Sequence, residues 1–162
     1  LKRADLRGAN LSGVNLEGAN LSGSSLEHAV LIKANLAEAN LERANLSGAN
    51  LEGANLIRVN LTKADLSGAN LIEAKLFWAN LSGANLVSSK LEKADLRLAN
   101  LSGANLSGSS LQRAFLIKTN LTETNLSGAD LSEASLAKLN LTNSVFCNTI
   151  MPNGTENNTG CK

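Results

Sequence analysis

Aromatic residues are nearly missing: three Phe, one Trp and no Tyr make 2% of a chain that is 43% hydrophobic. An ordinary globular core draws much of its buried area from rings, so their scarcity points away from one. Net charge is also lacking, with 15 basic against 14 acidic residues and a formal balance of +1. Bulk positive charge is the footprint of nucleic-acid binding, so a nucleic-acid partner is not expected. No apolar run approaches the ~20 residues of a membrane span, and membrane insertion is not expected either. Proline occurs once and cysteine twice. At 162 residues the chain suits one domain, by a prior of about 150 residues each.

What is present is a repeat. Leu stands at position 1 and at every fifth position through Leu141, and Phe146 and Met151 continue the series. Ala usually lies two residues before each Leu, and Asn or Asp directly before it, as at Ala9-Asn10 and Ala34-Asn35. On an α-helix five residues advance ~500°, which spirals the leucines over the whole surface. On a straight strand every fifth residue changes face. A chain that turns a corner every five residues buries all of them. Four corners make a square coil of 20 residues, and coils stack at ~4.8 Å into a rod of roughly 36 Å. The spacing predicts an all-β parallel coil of about seven turns with a Leu/Ala core. Rings would overpack so narrow a tube. Glycines before the tail, such as Gly8 and Gly48, all fall two residues after Leu, where a corner needs permissive angles. Asn is expected to form ladders between coils or to bond the turns.

This A-(N/D)-L-x-x pattern, running from residue 1 to about 150, resembles the pentapeptide-repeat family. The resemblance implies a right-handed quadrilateral β-helix and leaves function open. Departures at the Ala position include Ser24, Val59, Ser89, Ser109, Thr119, Thr124 and Leu139. Ser and Thr there can bond backbone groups, and Leu139 is expected to crowd the tube. Residues 21–35 resemble residues 106–120 at an offset of 17 units, which implies growth by pentapeptides rather than whole coils.

The repeat predicts a β-helix over residues 1–147 and a capping tail over 148–162. Met151-Pro152-Asn153-Gly154 reads as a tight turn. Cys147 and Cys161 are either a disulfide, two free thiols or half of a metal site. One His and no further Cys do not complete tetrahedral ligation, which favours the disulfide. The tail is similar to the endings of small pentapeptide-repeat proteins from cyanobacteria and the plant thylakoid lumen. With a disulfide, that implies an oxidising compartment, thylakoid lumen or periplasm. Leu1 opens inside a unit, so a leader or an N-terminal cap is expected upstream.

Residues 20 apart stack in columns. The column on Leu1 carries Ser22, Thr62, Ser82 and Thr122, but Arg3, Arg43, Lys63 and Glu123 interrupt any regular Thr array of the ice-binding kind. The column on Leu6 is mostly Ser-Gly and that on Leu11 is charged, as solvated faces are. The column on Leu16 differs, with Ile57, Phe77, Trp78, Leu98, Phe115 and Ile117 outward and Arg58, Arg97 and Lys118 beside them. A contiguous apolar patch with Trp and Arg is the composition of an interaction surface. The bland alternative is that Arg and Lys stems cover it.

No phosphate loop, metal cluster or catalytic triad is visible, His28 is the only histidine, and no cofactor is expected. The DNA-mimic inhibition of topoisomerases known in the resembling family needs a strongly acidic surface, which this chain lacks. The sequence therefore predicts a non-enzymatic rigid scaffold or protein-binding module, with a protein partner or self-association through the Leu16 column. A purely structural rod is the alternative.

Overall fold

The computed structural model describes residues 1–161. With few exceptions, a five-residue unit makes one tight turn. In Leu26-Glu27-His28-Ala29 the Ala29 N–H donates to the Leu26 carbonyl at 2.9 Å, and His28 has φ +55°. A single positive φ at the third residue marks a type II turn. The second residue after the inward side chain takes this left-handed conformation whether it is Gly8, Arg58, Lys63 or Trp78. The corner therefore imposes its geometry on residues that do not favour it. No Val, Ile or Thr stands at this position between Arg3 and Asn148, because a branched Cβ fits positive φ worst.

One unit shows how the backbone is satisfied. Asn45 N–H donates back to Ser24 O at 2.9 Å, Leu46 N–H forward to Asp65 O at 2.7 Å and Gly48 N–H forward to Ser67 O at 2.8 Å. Ala49 N–H closes the turn on Leu46 O at 2.9 Å. The fifth, Ser47 N–H, has no backbone acceptor, and the Asn45 Oδ1 takes it at 2.9 Å. Buried or half-buried N–H groups must find such partners, so the Asn/Asp slot is a hydrogen-bonding requirement of the coil. The expected ladders form as well: Asn55 Nδ2 donates to Asn35 Oδ1 at 2.9 Å and Asn35 Nδ2 to Asn15 Oδ1 at 3.1 Å.

Parallel bridges join residues 20 apart, from Asp5 with Ser25 to Asp130 with Ile150. Four turns per 20-residue coil make the wall square and set Leu and Ala inside it. From Leu21 to Leu131 the inward leucines are buried, together with alanines such as Ala29, Ala54 and Ala114. The hydroxyls in the Ala series are buried and bonded in two ways. Ser24, Ser89 and Ser109 donate to the carbonyl of their own turn, for example Ser89 Oγ to Leu86 O at 2.7 Å. Thr119, Thr124 and Thr149 reach instead to the preceding coil, for example Thr119 Oγ1 to Leu96 O at 2.7 Å.

Leu139 lies half-buried against the core, but not in a regular turn. The unit at Leu136 lacks the turn bridge made by its neighbours, so the larger side chain goes with an opened corner. Coil pairing then continues through Ile150 and Pro152, whose carbonyls accept Leu131 N–H at 2.8 Å and Glu133 N–H at 3.1 Å. A short antiparallel hairpin follows, β1 (Thr149–Ile150) on β2 (Glu156–Asn157). Cys147 and Cys161 form a disulfide, with Cα atoms 4.8 Å apart. The returning segment accepts Phe146 N–H on Thr159 O at 2.9 Å, and the Phe146 ring is 7% exposed. The tail covers this corner only, since Leu141 in the last coil remains 40% exposed.

Candidate interaction face

The four faces differ in what their outward positions carry, and the Leu16 column is the apolar one. Three outward columns build it: the Asn/Asp slot and the two residues after Leu. Ile57, Phe77 and Ile117 stack in the first position after Leu, Trp78 and Leu98 in the second, and Phe115 in the Asn slot. Backbone bonds lock the coils in step, with Arg58 N–H on Phe77 O at 3.0 Å, Trp78 N–H on Arg97 O at 3.2 Å and Leu98 N–H on Ile117 O at 3.1 Å.

Trp78 meets Phe77 edge to face, with ring centroids 6.4 Å apart and planes at 80°. The Arg97 guanidinium sits 5.6 Å from the Phe77 centroid. It is fixed there by two hydrogen bonds to Asp95, Nε to Oδ1 and Nη2 to Oδ2, both at 2.7 Å. Those side-chain bonds hold the Asp95 carboxyl below its ordinary range, against the opposing effect of burial. Arg58 turns away from the rings to Glu38 at 3.3 Å. Among the described residues the one cation found over a ring of the patch is the Arg97 guanidinium, while Trp78 is 55% and Phe115 44% exposed. Ile57, Phe77, Leu98 and Ile117 are half-buried along the same wall.

Sequence reasoning placed the six apolar residues on one face but missed Asp95, the group that orients Arg97. The signal was present: Asp5-Leu6-Arg7 has the same spacing as Asp95-Leu96-Arg97, and Arg7 grips Asp5 in the same two-bonded way. Glu38, Lys75 and Lys138, which complete the charged rim, were also passed over.

Three apolar residues occupy slots where the fold prefers something else. Trp78 and Leu98 both sit at φ +60°, where Gly carries no steric penalty. Phe115 replaces the Asn whose Oδ1 would accept the Ile117 N–H, a bond of about 1 kcal/mol.

Elsewhere the surface carries paired charges such as Arg113 with Glu133 at 2.9 Å and Lys93 with Glu73 at 3.1 Å. His28 lies exposed, stacked over Gly48. Among the described residues no three His, Cys, Asp or Glu side chains gather as a metal site. Among those residues no helix is long and apolar enough to cross a membrane.

The Pentapeptide repeats family model matches the chain in 8 copies, over residues 1–37, 9–48, 39–76, 79–116, 99–136 and 116–153. None of the curated proteins matches. Among solved structures the chain is similar to HetL, a pentapeptide repeat protein involved in heterocyst differentiation regulation from Nostoc sp. strain PCC 7120. Identity is 36% over 97% of this chain and 76% of that one, with a TM-score of 0.40. A pentapeptide repeat protein of the Arabidopsis thaliana thylakoid lumen is 31% identical over 75% of this chain and 70% of its own, with a TM-score of 0.46. QnrB1, a plasmid-mediated fluoroquinolone resistance protein, is 18% identical over 78% of this chain and 79% of its own, with a TM-score of 0.44. The five-residue turn, the 20-residue bridge and the family match together place this chain in the pentapeptide-repeat family, whose fold is the right-handed quadrilateral β-helix.

Proposed function

We propose that the chain is a non-enzymatic, rigid protein-binding rod that engages its partner through the Leu16-column face. The observation that carries this reading is the placement of Trp78, Leu98 and Phe115: exposed or half-exposed apolar side chains in slots that suit Gly and Asn. A pre-ordered β wall loses little entropy on binding, so a modest apolar patch suffices for recognition. We place the tail at residues 148–162 after a body of residues 1–147, with coil pairing carried on into the tail through Ile150 and Pro152 and a staple from Cys147 to Cys161. A disulfide persists in an oxidising compartment, thylakoid lumen or periplasm.

The test is the double variant Phe77→Ser, Trp78→Ser, used as bait in native extract and in a self-association assay. Both side chains point outward, so the thermal midpoint should stay within a few degrees while association is lost. Unchanged capture and unchanged self-association would overturn the reading.

A further inference from the structure

We propose that the Leu16-column face pairs with the same face of a second copy, with the two rods antiparallel about a two-fold axis lying in the interface. This deepens the protein-binding reading and rests on it. Such an axis, placed between the coils of Leu76 and Leu96, keeps each outward column against itself and reverses the order of coils. The coil of Leu36 then meets that of Leu136, Leu56 meets Leu116, and Leu76 meets Leu96.

The outward residues are complementary in that register. In the first position after Leu, Ala37 faces Ala137 of the other copy, Ile57 faces Ile117, and Phe77 faces Arg97. Arg97 already lies 5.6 Å from its own Phe77 centroid, so a second ring encloses a cation the structure holds in place. In the second position Trp78 meets Leu98 and Glu38 meets Lys138; in the Asn slot Lys75 meets Asp95. One like-charge pair remains, Arg58 opposite Lys118, and Arg58 is neutralised by Glu38 at 3.3 Å.

Neighbouring registers lack this match. A shift of one coil in one direction sets Lys75 on its own copy. A shift in the other sets Asp95 on Asp95 and Arg97 on Arg97. Parallel rods also set Arg97 on Arg97. Like charges face to face exclude wrong pairings, so the face specifies one register by repulsion as well as attraction. The contact spans five coil steps, about 24 Å, and is about three residues, roughly 10 Å, across. That is below a standard interface, so association is weak.

The test exploits distance. Glu38 and Lys138 lie five coils apart in one chain and cannot compensate for each other within it. Glu38→Lys and Lys138→Glu should each weaken dimerisation roughly tenfold in sedimentation equilibrium, because each places two like-charge pairs across the axis. The double variant should associate more tightly than either single variant but below the wild type, because Glu38→Lys also removes the carboxylate that neutralises Arg58. An equimolar mixture of the two single variants should associate, since both 38–138 pairs across that interface are again of opposite sign. The two-fold is overturned if the wild type stays monomeric to about 1 mM, if the single variants match it, or if the double variant is no better than the singles. A monomeric wild type that still captures another protein through Phe77 and Trp78 would sink the two-fold alone; loss of both would sink the protein-binding reading too.

Discussion

Gly48 and Gly68 stand one coil apart in the same column, both at φ +63°. Replacing either with Ala forces an L-residue into the left-handed conformation, at about 1–2 kcal/mol. The more restricted unfolded chain returns about 0.4–1 kcal/mol, for a net loss near 1 kcal/mol. At Gly68 nothing lies within 4 Å of the new Cβ, so that backbone cost is the whole effect. At Gly48 the new Cβ runs into the His28 imidazole stacked one coil before it. The ring is exposed and can leave its rotamer, which adds about 1 kcal/mol. At roughly 2–4 °C per kcal/mol for a chain of this size, Gly68→Ala should lower the thermal midpoint by about 2–4 °C and Gly48→Ala by about twice that. Because the backbone geometry is the same, their difference isolates the steric contact. In a His28→Ala background Gly48→Ala should cost no more than Gly68→Ala. Circular dichroism melts of the five proteins provide the measurement. Equal losses at both glycines, or an excess that survives removal of His28, would refute the 20-residue stacking of side chains on which every column here depends.

Leu71→Ala in the middle of the tube should cost about 2–5 kcal/mol, since the stacked walls cannot collapse onto the cavity, and urea denaturation measures it. Cys147→Ser with Cys161→Ser removes a closed loop of about 15 residues, worth ~3 kcal/mol in chain entropy. Hydrogen exchange should accelerate at Phe146 and Ile150 while amides near Leu71 keep their protection; uniform acceleration would contradict a local cap. Asp5 is lowered to about 2 by hydrogen bonds from Arg7, and Asp95 is lowered by Arg97. Asp130 is lowered because hydrogen bonds from Ser132 and Gln112 outweigh its burial. These depressed groups contribute stability that is full above the unfolded carboxylate range near 4 and is lost as pH falls toward 2. The thermal midpoint should therefore be level from pH 7 to about 5 and drop below about 4, and a midpoint unchanged at pH 2 would contradict the assignment.

The five-residue period by itself determined the corner, the inward Leu and Ala, and the 20-residue column, because no helix or straight strand buries every fifth residue on one side. It also brought Phe77, Trp78 and Leu98 to one wall. The left-handed corner was half legible: Gly8 and Gly48 announced it, and the lack of Val, Ile and Thr there was the signal for Arg58, Lys63 and Trp78. The Asn slot was legible as a turn-bonding and ladder-forming position, but which N–H it serves emerges only when neighbouring coils have taken three of the others and the turn itself the fourth. Leu139 shows the limit from the other side, because a side chain too large for its slot can crowd the core or open its turn, and packing chose the second. Arg97 over Phe77, anchored by Asp95, was likewise decided by tertiary structure. Its parts come from successive coils, 20 residues apart along the chain and one strand spacing apart in space. Composition and period set the wall; the stacking of one coil on the next set what the wall presents.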